Sequence, residues 1–304
     1  MRHFRNGTAL AVGLALFAAV ATVWAQDRDR AAPKPETVMR EGLAPTRTHE
    51  QGTAQVSIFA EGDNGWLGKL RVSSGASVPR HRDPTEEYLF VLRGEGELNV
   101  AGTKRTLGPG ASVRLPAEAP VGFSNGPRTF TAIQFFAGPE SGDKYSTWKM
   151  GKPTIGESAK GKRKISTTRA QLKGATIRRS PDGQTEVATL AAGENAWMGI
   201  LWLGPGATVP ENSHESEEYL YVLSGTGKLS VGETTYNLEP NTGVLIPAGT
   251  KSTFENGESV LKVLQFFAGA EPAAKYRDWS TVQSPSIRPS APSGTKTVGG
   301  IELK

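Results

Sequence analysis

The sequence predicts an all-β protein that contains two copies of one domain, each a sandwich or small barrel. Segments recur at one offset: Gly75-Ala-Ser-Val-Pro79 returns as Gly206-Ala-Thr-Val-Pro210, and 206 − 75 = 131. The register holds without a gap from residue 66 to residue 148. A loop-rich sequence keeps such a register only if one fold occurs twice. Short alternating or β-branched runs, broken by Gly-rich turns, predict the strands of each copy.

Strand signals follow in the same order in both copies. The matching pairs are Tyr88-Leu-Phe-Val-Leu92 with Tyr219-Leu-Tyr-Val-Leu223, Leu98-Asn-Val100 with Leu229-Ser-Val231, and Gln134-Phe-Phe-Ala-Gly138 with Gln265-Phe-Phe-Ala-Gly269. Asn125-Gly126 and Asn256-Gly257 predict tight hairpin turns. Trp66 and Trp197 are interpreted as core or interface aromatics, with a sugar platform as the alternative.

The two domains are predicted at residues 48–150 and 176–281. Residues 1–25 resemble a cleaved signal peptide, since Arg2 and Arg5 precede a short apolar run that ends at Val23-Trp-Ala25. An uncleaved membrane anchor is the alternative. Residues 26–47 are expected to be an extended lead-in, 151–175 a basic linker and 282–304 a disordered tail rich in Pro and Ser. We therefore expect a secreted or periplasmic protein with no membrane span after signal cleavage.

Composition limits the function classes further. The chain has no cysteine, which excludes disulfides. Its formal charge of +5 falls to +3 when the two arginines of the signal are removed (5 − 2 = 3), too small a surplus to indicate a nucleic-acid partner. The basic linker is interpreted as a solvated loop, and a contact with the anionic envelope is the alternative.

Two spaced motifs occur in each copy. The first is Gly75-x5-His81-x-Asp83-x3-Glu87-x6-Gly94, repeated as Gly206-x5-Asn212-x-His214-x3-Glu218-x6-Gly225. The second is Gly110-x5-Pro116-x-Glu118-x2-Val121-x3-Asn125, repeated as Asn241-x5-Pro247-x-Gly249-x2-Ser252-x3-Asn256. Both resemble the paired motifs of the cupin superfamily. The chain is thus similar to a bicupin, and the resemblance implies two tandem double-stranded β-helix, or jelly-roll, barrels.

The resemblance also implies a metal site. In metal-binding cupins three His and one Glu hold a transition metal, and the matching slots of the first copy are His81, Asp83, Glu87 and Val121. In the second copy they are Asn212, His214, Glu218 and Ser252. Neither copy carries the full set.

The first copy retains one imidazole and two carboxylates, a set that suits a harder ion such as Mn²⁺ or Ca²⁺ better than a soft one. The metal candidates are therefore His81, Asp83 and Glu87, and after them His214 and Glu218. The cofactor expectation is none, or a weakly bound divalent metal such as Mn, Fe or Zn. Without a metal, two nearby carboxylates are expected to keep His81 protonated.

Glu86-Glu87 and Glu217-Glu218 are adjacent acids, and period two directs only one of each pair into the barrel. Val121, Asn212 and Ser252, in the damaged ligand slots, are expected to line a ligand pocket. The sequence favours an exported small-molecule-binding or structural envelope protein. The alternatives are a metal-dependent oxidoreductase, lyase or isomerase that uses His81, Asp83 and Glu87, or metal-free acid–base chemistry at the same cluster. The sequence leaves open the ligand and the choice between monomer and homo-oligomer.

Overall fold

The computed structural model describes residues 37–155, 175–283 and 286–287. The predicted signal peptide and most of the predicted linker and tail lie outside these residues. Within the described ranges the helices are short 3-10 turns, and none has the length and apolar content that a bilayer crossing requires.

The first copy and the residues around it form the strands β1 (Val38–Arg40), β2 (Thr46–Thr48), β3 (Ala54–Glu61), β4 (Trp66–Val72), β5 (Ser77–His81), β6 (Glu87–Arg93), β7 (Gly96–Val100), β8 (Thr103–Leu107), β9 (Ser112–Leu115), β10 (Val121–Asn125), β11 (Phe130–Phe136) and β12 (Lys149–Gly151). A 3-10 helix, Asp143–Thr147, lies between β11 and β12.

The second copy forms β13 (Ile177–Arg179), β14 (Thr185–Ala192), β15 (Ala196–Leu203), β16 (Thr208–Asn212), β17 (Glu218–Ser224), β18 (Gly227–Val231), β19 (Thr234–Leu238), β20 (Thr242–Ile246), β21 (Ser252–Asn256), β22 (Leu261–Ala268) and β23 (Ser280–Val282). Its 3-10 helix is Glu271–Asp278.

Each barrel consists of one large sheet and one four-stranded sheet. The first barrel has the orders β12-β2-β3-β4-β11-β6-β9 and β5-β10-β7-β8. The second barrel has β1-β20-β17-β22-β15-β14-β13-β23 and β16-β21-β18-β19. The prediction of an all-β chain with two tandem jelly-roll barrels is confirmed.

Residues 37–47, the described part of the predicted lead-in, contribute a strand to each barrel. Strand β2 pairs with β3 of the first barrel, whereas β1 pairs with β20 of the second, with Val38 opposite Val244. The boundary predicted at residue 48 is therefore too late. An edge strand offers unpaired backbone groups, and β1 supplies their partners.

Period-two alternation along β6 separates two cores. Leu89 and Val91 face the interior of the first barrel. Tyr88 and Phe90 face the opposite way, into a core that both barrels share. In that shared core Phe135 stacks on Phe266, its counterpart in the second copy, with ring centroids 4.9 Å apart. The two barrels therefore pack against each other within one chain.

The same alternation directs the two glutamates of each adjacent pair, Glu86-Glu87 and Glu217-Glu218, to opposite faces of the sheet. Glu217 crosses to the first barrel, where its carboxylate accepts hydrogen bonds from the backbone N–H of Asp63 (2.9 Å) and Asn64 (2.8 Å). Glu86 accepts reciprocally from the backbone N–H of Asn195 at 3.3 Å. The first glutamate of each pair therefore fastens one barrel to a hairpin of the other, and the second faces the interior of its own barrel.

The predicted Asn-Gly hairpins are wrong. β10 ends at Asn125 and pairs with β5 and β7, whereas β11 pairs with β4 and β6, so the Asn-Gly segment connects two sheets. The Asn125 amide donates to the backbone oxygens of Val72, Ser73 and Arg128 and holds this corner. The Asn256 amide makes the same three bonds in the second barrel.

Trp66 and Trp197 are buried core residues, as interpreted. Trp66 packs on Phe136 and Tyr145, with centroids 5.5 and 5.3 Å away. Trp197 repeats this packing in the second barrel. Neither indole is exposed as a platform.

Candidate functional site

The candidate site lies where the end of β5 pairs with the start of β10 in the first barrel, and where β16 pairs with β21 in the second. His81 is the last residue of β5 and pairs directly with Val121 at the start of β10. Asn212 pairs with Ser252 in the same way in the second barrel. The cupin-like spacing therefore places the first and fourth ligand slots side by side, as the resemblance implies.

In the first barrel a lysine joins the predicted residues. His81 Nε2 lies 3.4 Å from Asp83 Oδ2, and Lys144 Nζ donates to Asp83 Oδ1 at 2.6 Å. Lys144 comes from the 3-10 helix and lies 4.6 Å from the centre of the Phe136 ring. Glu87 does not bond to His81: its carboxylate accepts from Gln134 Nε2 at 2.6 Å. The cluster is thus an ion-paired triad of His81, Asp83 and Lys144 beside a separate buried carboxyl.

These contacts shift the ionisation of the triad. The hydrogen bond to Asp83 raises the pKa of His81, as the sequence predicts, although burial opposes the change. Burial alone would raise the pKa of Asp83, but the hydrogen bond from His81 and the charge of Lys144 lower it overall. Burial raises the pKa of Glu87. The triad therefore favours a protonated imidazole against an ionised carboxylate.

The second barrel contains the equivalent lysine with a different partner. Lys275 Nζ lies 3.1 Å from His214 Nε2, which occupies the slot of Asp83. His214 Nε2 lies 3.7 Å from Glu218 Oε2, and Glu218 accepts from Gln265. Burial and the charge of Lys275 lower the pKa of His214, which favours the neutral imidazole beside the Lys275 ammonium. Asn212 donates to the backbone oxygen of Pro210 at 2.9 Å.

A glutamine and a tyrosine support the glutamate in both copies. Tyr145 OH donates to Gln134 Oε1 at 2.8 Å, and the Gln134 amide donates to Glu87. Tyr276 and Gln265 make the same relay to Glu218. The relay fixes each carboxylate against the barrel wall.

Sequence reasoning missed the two lysines, although a signal was present. Lys144-Tyr145 returns as Lys275-Tyr276 at the offset of 131, inside the ungapped repeat. The pair stands 61 residues after Asp83 and His214 and outside the two motifs. Only the fold shows that these ammonium groups reach the site.

The ligand sets do not fit a metal ion as they stand. Metal-binding cupins would place a cation among these side chains, but in the first barrel the Lys144 ammonium already neutralises Asp83 at 2.6 Å. A cation beside that ammonium would be repelled, and Val121 offers no donor. Within residues 37–155, 175–283 and 286–287, no group of three or more His, Asp or Glu is arranged to hold a metal. His81, Asp83 and Glu87, and likewise His214 and Glu218, do not form a complete ligand set.

The second barrel encloses a cavity of about 290 Å³. Its wall is apolar, and the polar end contains His214, Glu218 and Lys275. The aliphatic lining includes Leu201, Leu220, Leu229, Leu238, Ile246 and Leu261. Asn212 and Ser252 line this cavity, whereas Val121 packs in the core of the first barrel.

Comparisons with known proteins agree with this fold. The Cupin domain family model "Cupin_2" matches residues 68–130 and 199–267. Protein SchB of Streptomyces halstedii is 30% identical over 107 residues, which cover 35% of this chain and 76% of that protein. An uncharacterized protein of Streptomyces coelicolor is 30% identical over 77 residues, covering 25% of this chain and 73% of its own length.

Solved structures resemble the fold at low identity. An oxalate decarboxylase variant of Bacillus subtilis matches with a TM-score of 0.57 at 12% identity, over 79% of this chain and 78% of its own. AerE of Microcystis aeruginosa matches with a TM-score of 0.56 at 13% identity, over 74% and 96%. At such identities the likeness concerns the fold alone. With two matched regions and two barrels, the chain belongs to the cupin superfamily and is a bicupin.

Proposed function

We propose that this protein is an exported small-molecule-binding bicupin whose second barrel holds the ligand without a metal. The observation that carries the proposal is the cavity of about 290 Å³ in that barrel, with apolar walls and one polar end. Ligand sites in proteins are typically apolar cavities with a few convergent polar groups, and this volume lies at the lower end of their range. A small ligand is therefore favoured over a large one.

The first barrel differs from the second at the corresponding places. Phe130 stands where the second copy has Leu261 (261 − 130 = 131), and its ring packs on Phe123 with centroids 4.5 Å apart. Val121 stands where the second copy has Ser252. At these two positions the first barrel has a larger or more apolar side chain than the second, whereas its Val72 and Ala132 are smaller than Leu203 and Val263, which line the second cavity.

The metal-dependent enzyme that the family resemblance suggests is not supported by these side chains. Lys144 holds the Asp83 carboxylate, and Lys275 holds the His214 nitrogen that would otherwise face an ion. Both contacts place a positive charge at the point where a metal would need donors. The fold likeness to oxalate decarboxylase carries no activity to this chain.

A cavity-filling variant tests the proposal. Leu261→Phe introduces the ring that the first barrel carries at this place and reduces the room for a ligand. A panel of small apolar and amphiphilic compounds is screened by thermal shift, since a ligand that binds the native state raises Tm. We expect at least one compound to raise the Tm of the wild type and to have a reduced effect on Leu261→Phe.

Phe130→Leu is the matched control, because it makes the reciprocal exchange in the first barrel and leaves the second cavity intact. Its ligand response is expected to equal that of the wild type. If binding were lost in Phe130→Leu and retained in Leu261→Phe, the ligand would lie in the wrong barrel for this proposal. If no compound stabilised the wild type, the binding function itself would be wrong.

A further inference from the structure

The two lysines of the duplicated site differ in their partners. Lys144 forms an ion pair with Asp83, a buried carboxylate, at 2.6 Å. Lys275 Nζ instead lies 3.1 Å from Nε2 of the His214 imidazole. In the described part of the chain no ion pair is formed by Lys275 within 4.0 Å. One exchange, Asp83 for His214 across the repeat, therefore leaves the second ammonium without a hydrogen-bonded carboxylate, and Glu218 acts on it only through its charge.

The position of Lys275 suits contact with a ligand. Lys275 lies on the 3-10 helix and lines the cavity beside His214 and Glu218, and its Nζ lies 5.2 Å from the centre of the Phe267 ring. Burial lowers the pKa of Lys275, and the charge of Glu218 opposes that change. An ammonium group has three donors, and the recorded hydrogen bond uses one of them. The other donors can serve an oxygen that enters beside His214.

We infer that the ligand of the second barrel is a small carboxylic acid whose carboxylate pairs with Lys275 and whose apolar body lies among the leucines of the cavity. This inference rests on the proposed function and adds the chemical class of the ligand. A carboxylate accepts charge-assisted hydrogen bonds from an ammonium, which are stronger than bonds between neutral groups. The aliphatic wall supplies the hydrophobic part of the binding free energy.

Two carboxylates, Glu218 and Asp182, also line the cavity, and both already accept hydrogen bonds from the protein. Glu218 is held by Gln265 and faces His214 and Lys275, so the polar end is formally neutral. In the first barrel the protonated His81 balances the additional carboxylate of Asp83, so the difference lies in pairing: Asp83 already occupies the Lys144 ammonium. Asp182 also lines the second cavity, but its carboxylate already accepts from Ser180 Oγ and from the backbone N–H of Gln184.

Titration calorimetry with octanoate and 1-octanol tests the inference on the wild-type protein. The two probes share the apolar body and differ in the carboxylate. We expect octanoate to bind roughly 10- to 100-fold more tightly than 1-octanol, the range that corresponds to one hydrogen-bonded charge. Equal affinities would overturn the carboxylate assignment.

Variants then assign the effect to one residue. Lys275→Met keeps the length of the apolar stem without the charge. It is expected to lower the affinity for octanoate roughly 10- to 100-fold and to leave the affinity for 1-octanol unchanged. Lys144→Met is the matched control in the first barrel and is expected to leave the octanoate affinity as it is. Lys275→Arg retains the charge and serves as a second variant if Lys275→Met does not fold; it should still prefer octanoate to 1-octanol.

The outcomes separate this inference from the proposed function. If 1-octanol and octanoate bound equally and Leu261→Phe abolished both, the second barrel would be a ligand site and only the carboxylate class would be wrong. If neither these probes nor any compound of the wider panel bound, both proposals would be wrong. If Lys144→Met weakened octanoate and Lys275→Met did not, the carboxylate would lie in the first barrel, against the inference.

Discussion

Removal of the Glu217 carboxylate is expected to weaken the contact between the two barrels. Glu217 is 4% exposed, and its oxygens accept from the backbone N–H groups of Asp63 and Asn64 and from Tyr219 OH. In Glu217→Ala both N–H groups lose their partner. Tyr219 OH keeps a partner, since its single proton can be donated to the backbone oxygen of Gly65, 2.8 Å away.

The magnitude follows from these contacts. An unsatisfied buried donor costs about 1–3 kcal/mol, and two amides are affected. Asp63 and Asn64 lie in an exposed turn, so water can reach part of the space left by the carboxylate. We therefore expect the free energy of unfolding to fall by about 2–4 kcal/mol, which lowers Tm by roughly 2–4 °C per kcal/mol for a chain of this size.

Urea unfolding followed by circular dichroism measures the change. Glu233→Ala, at an exposed turn residue, is the control and should stay within about 0.5 kcal/mol of the wild type. Glu86→Ala should also lower the free energy of unfolding, because Glu86 accepts from the backbone N–H of Asn195 and forms an ion pair with Arg114. If Glu217→Ala unfolded at the same urea concentration as Glu233→Ala, the carboxylate would not fasten the barrels and this reasoning would be refuted.

Three further predictions concern the site and the N-terminus. Lys144→Met should allow Mn²⁺ or Zn²⁺ to raise Tm where the wild type shows no such response, because it frees the carboxylate of Asp83; a variant as indifferent to metal as the wild type would contradict the role given to the ammonium. NMR titration should place the pKa of His81 above the usual 6.5 and that of His214 below it. The stabilisation from His81 is thus present below about pH 6.5 and is lost as the pH rises through the folded-state pKa of His81. The stabilisation from His214 is lost as the pH falls through the folded-state pKa of His214. A pKa of His214 above that of His81 would contradict the charge assignments. Mass spectrometry of the exported protein should find a chain that begins near Gln26, and an intact N-terminus in that fraction would exclude signal cleavage.

The sequence predicted the fold well because its evidence was local and repeated. Alternation along Tyr88-Leu-Phe-Val-Leu92 depends only on neighbouring residues, and the offset of 131 repeats it in a second domain. The Asn125-Gly126 hairpin failed for the same reason. A local turn signal does not tell whether the two flanking strands pair with each other or belong to different sheets, and here they belong to different sheets.

The site was predicted only in part. The motif spacing brought His81 and Asp83 into contact and placed Asn212 beside Ser252. The expected set of metal ligands was incomplete because it considered only the residues within the motifs. It did not include a lysine ammonium group from another part of the chain. Lys144 reaches Asp83 from 61 residues away, on a 3-10 helix that no motif marks.

By itself, the sequence determined that the chain is duplicated and all-β, and that neither copy carries the three His and one Glu of metal-binding cupins. Period two also required that one of Glu86 and Glu87 face inward, but not which one. Only the tertiary structure decided which glutamate faces inward. It also decided that β1 pairs with β20 of the second barrel and that a cavity lies beside Lys275. The physical reason is that these features depend on contacts between residues about 60 to 200 positions apart in the chain. Such contacts are set by side-chain volumes and charges in space, which the local sequence pattern does not encode.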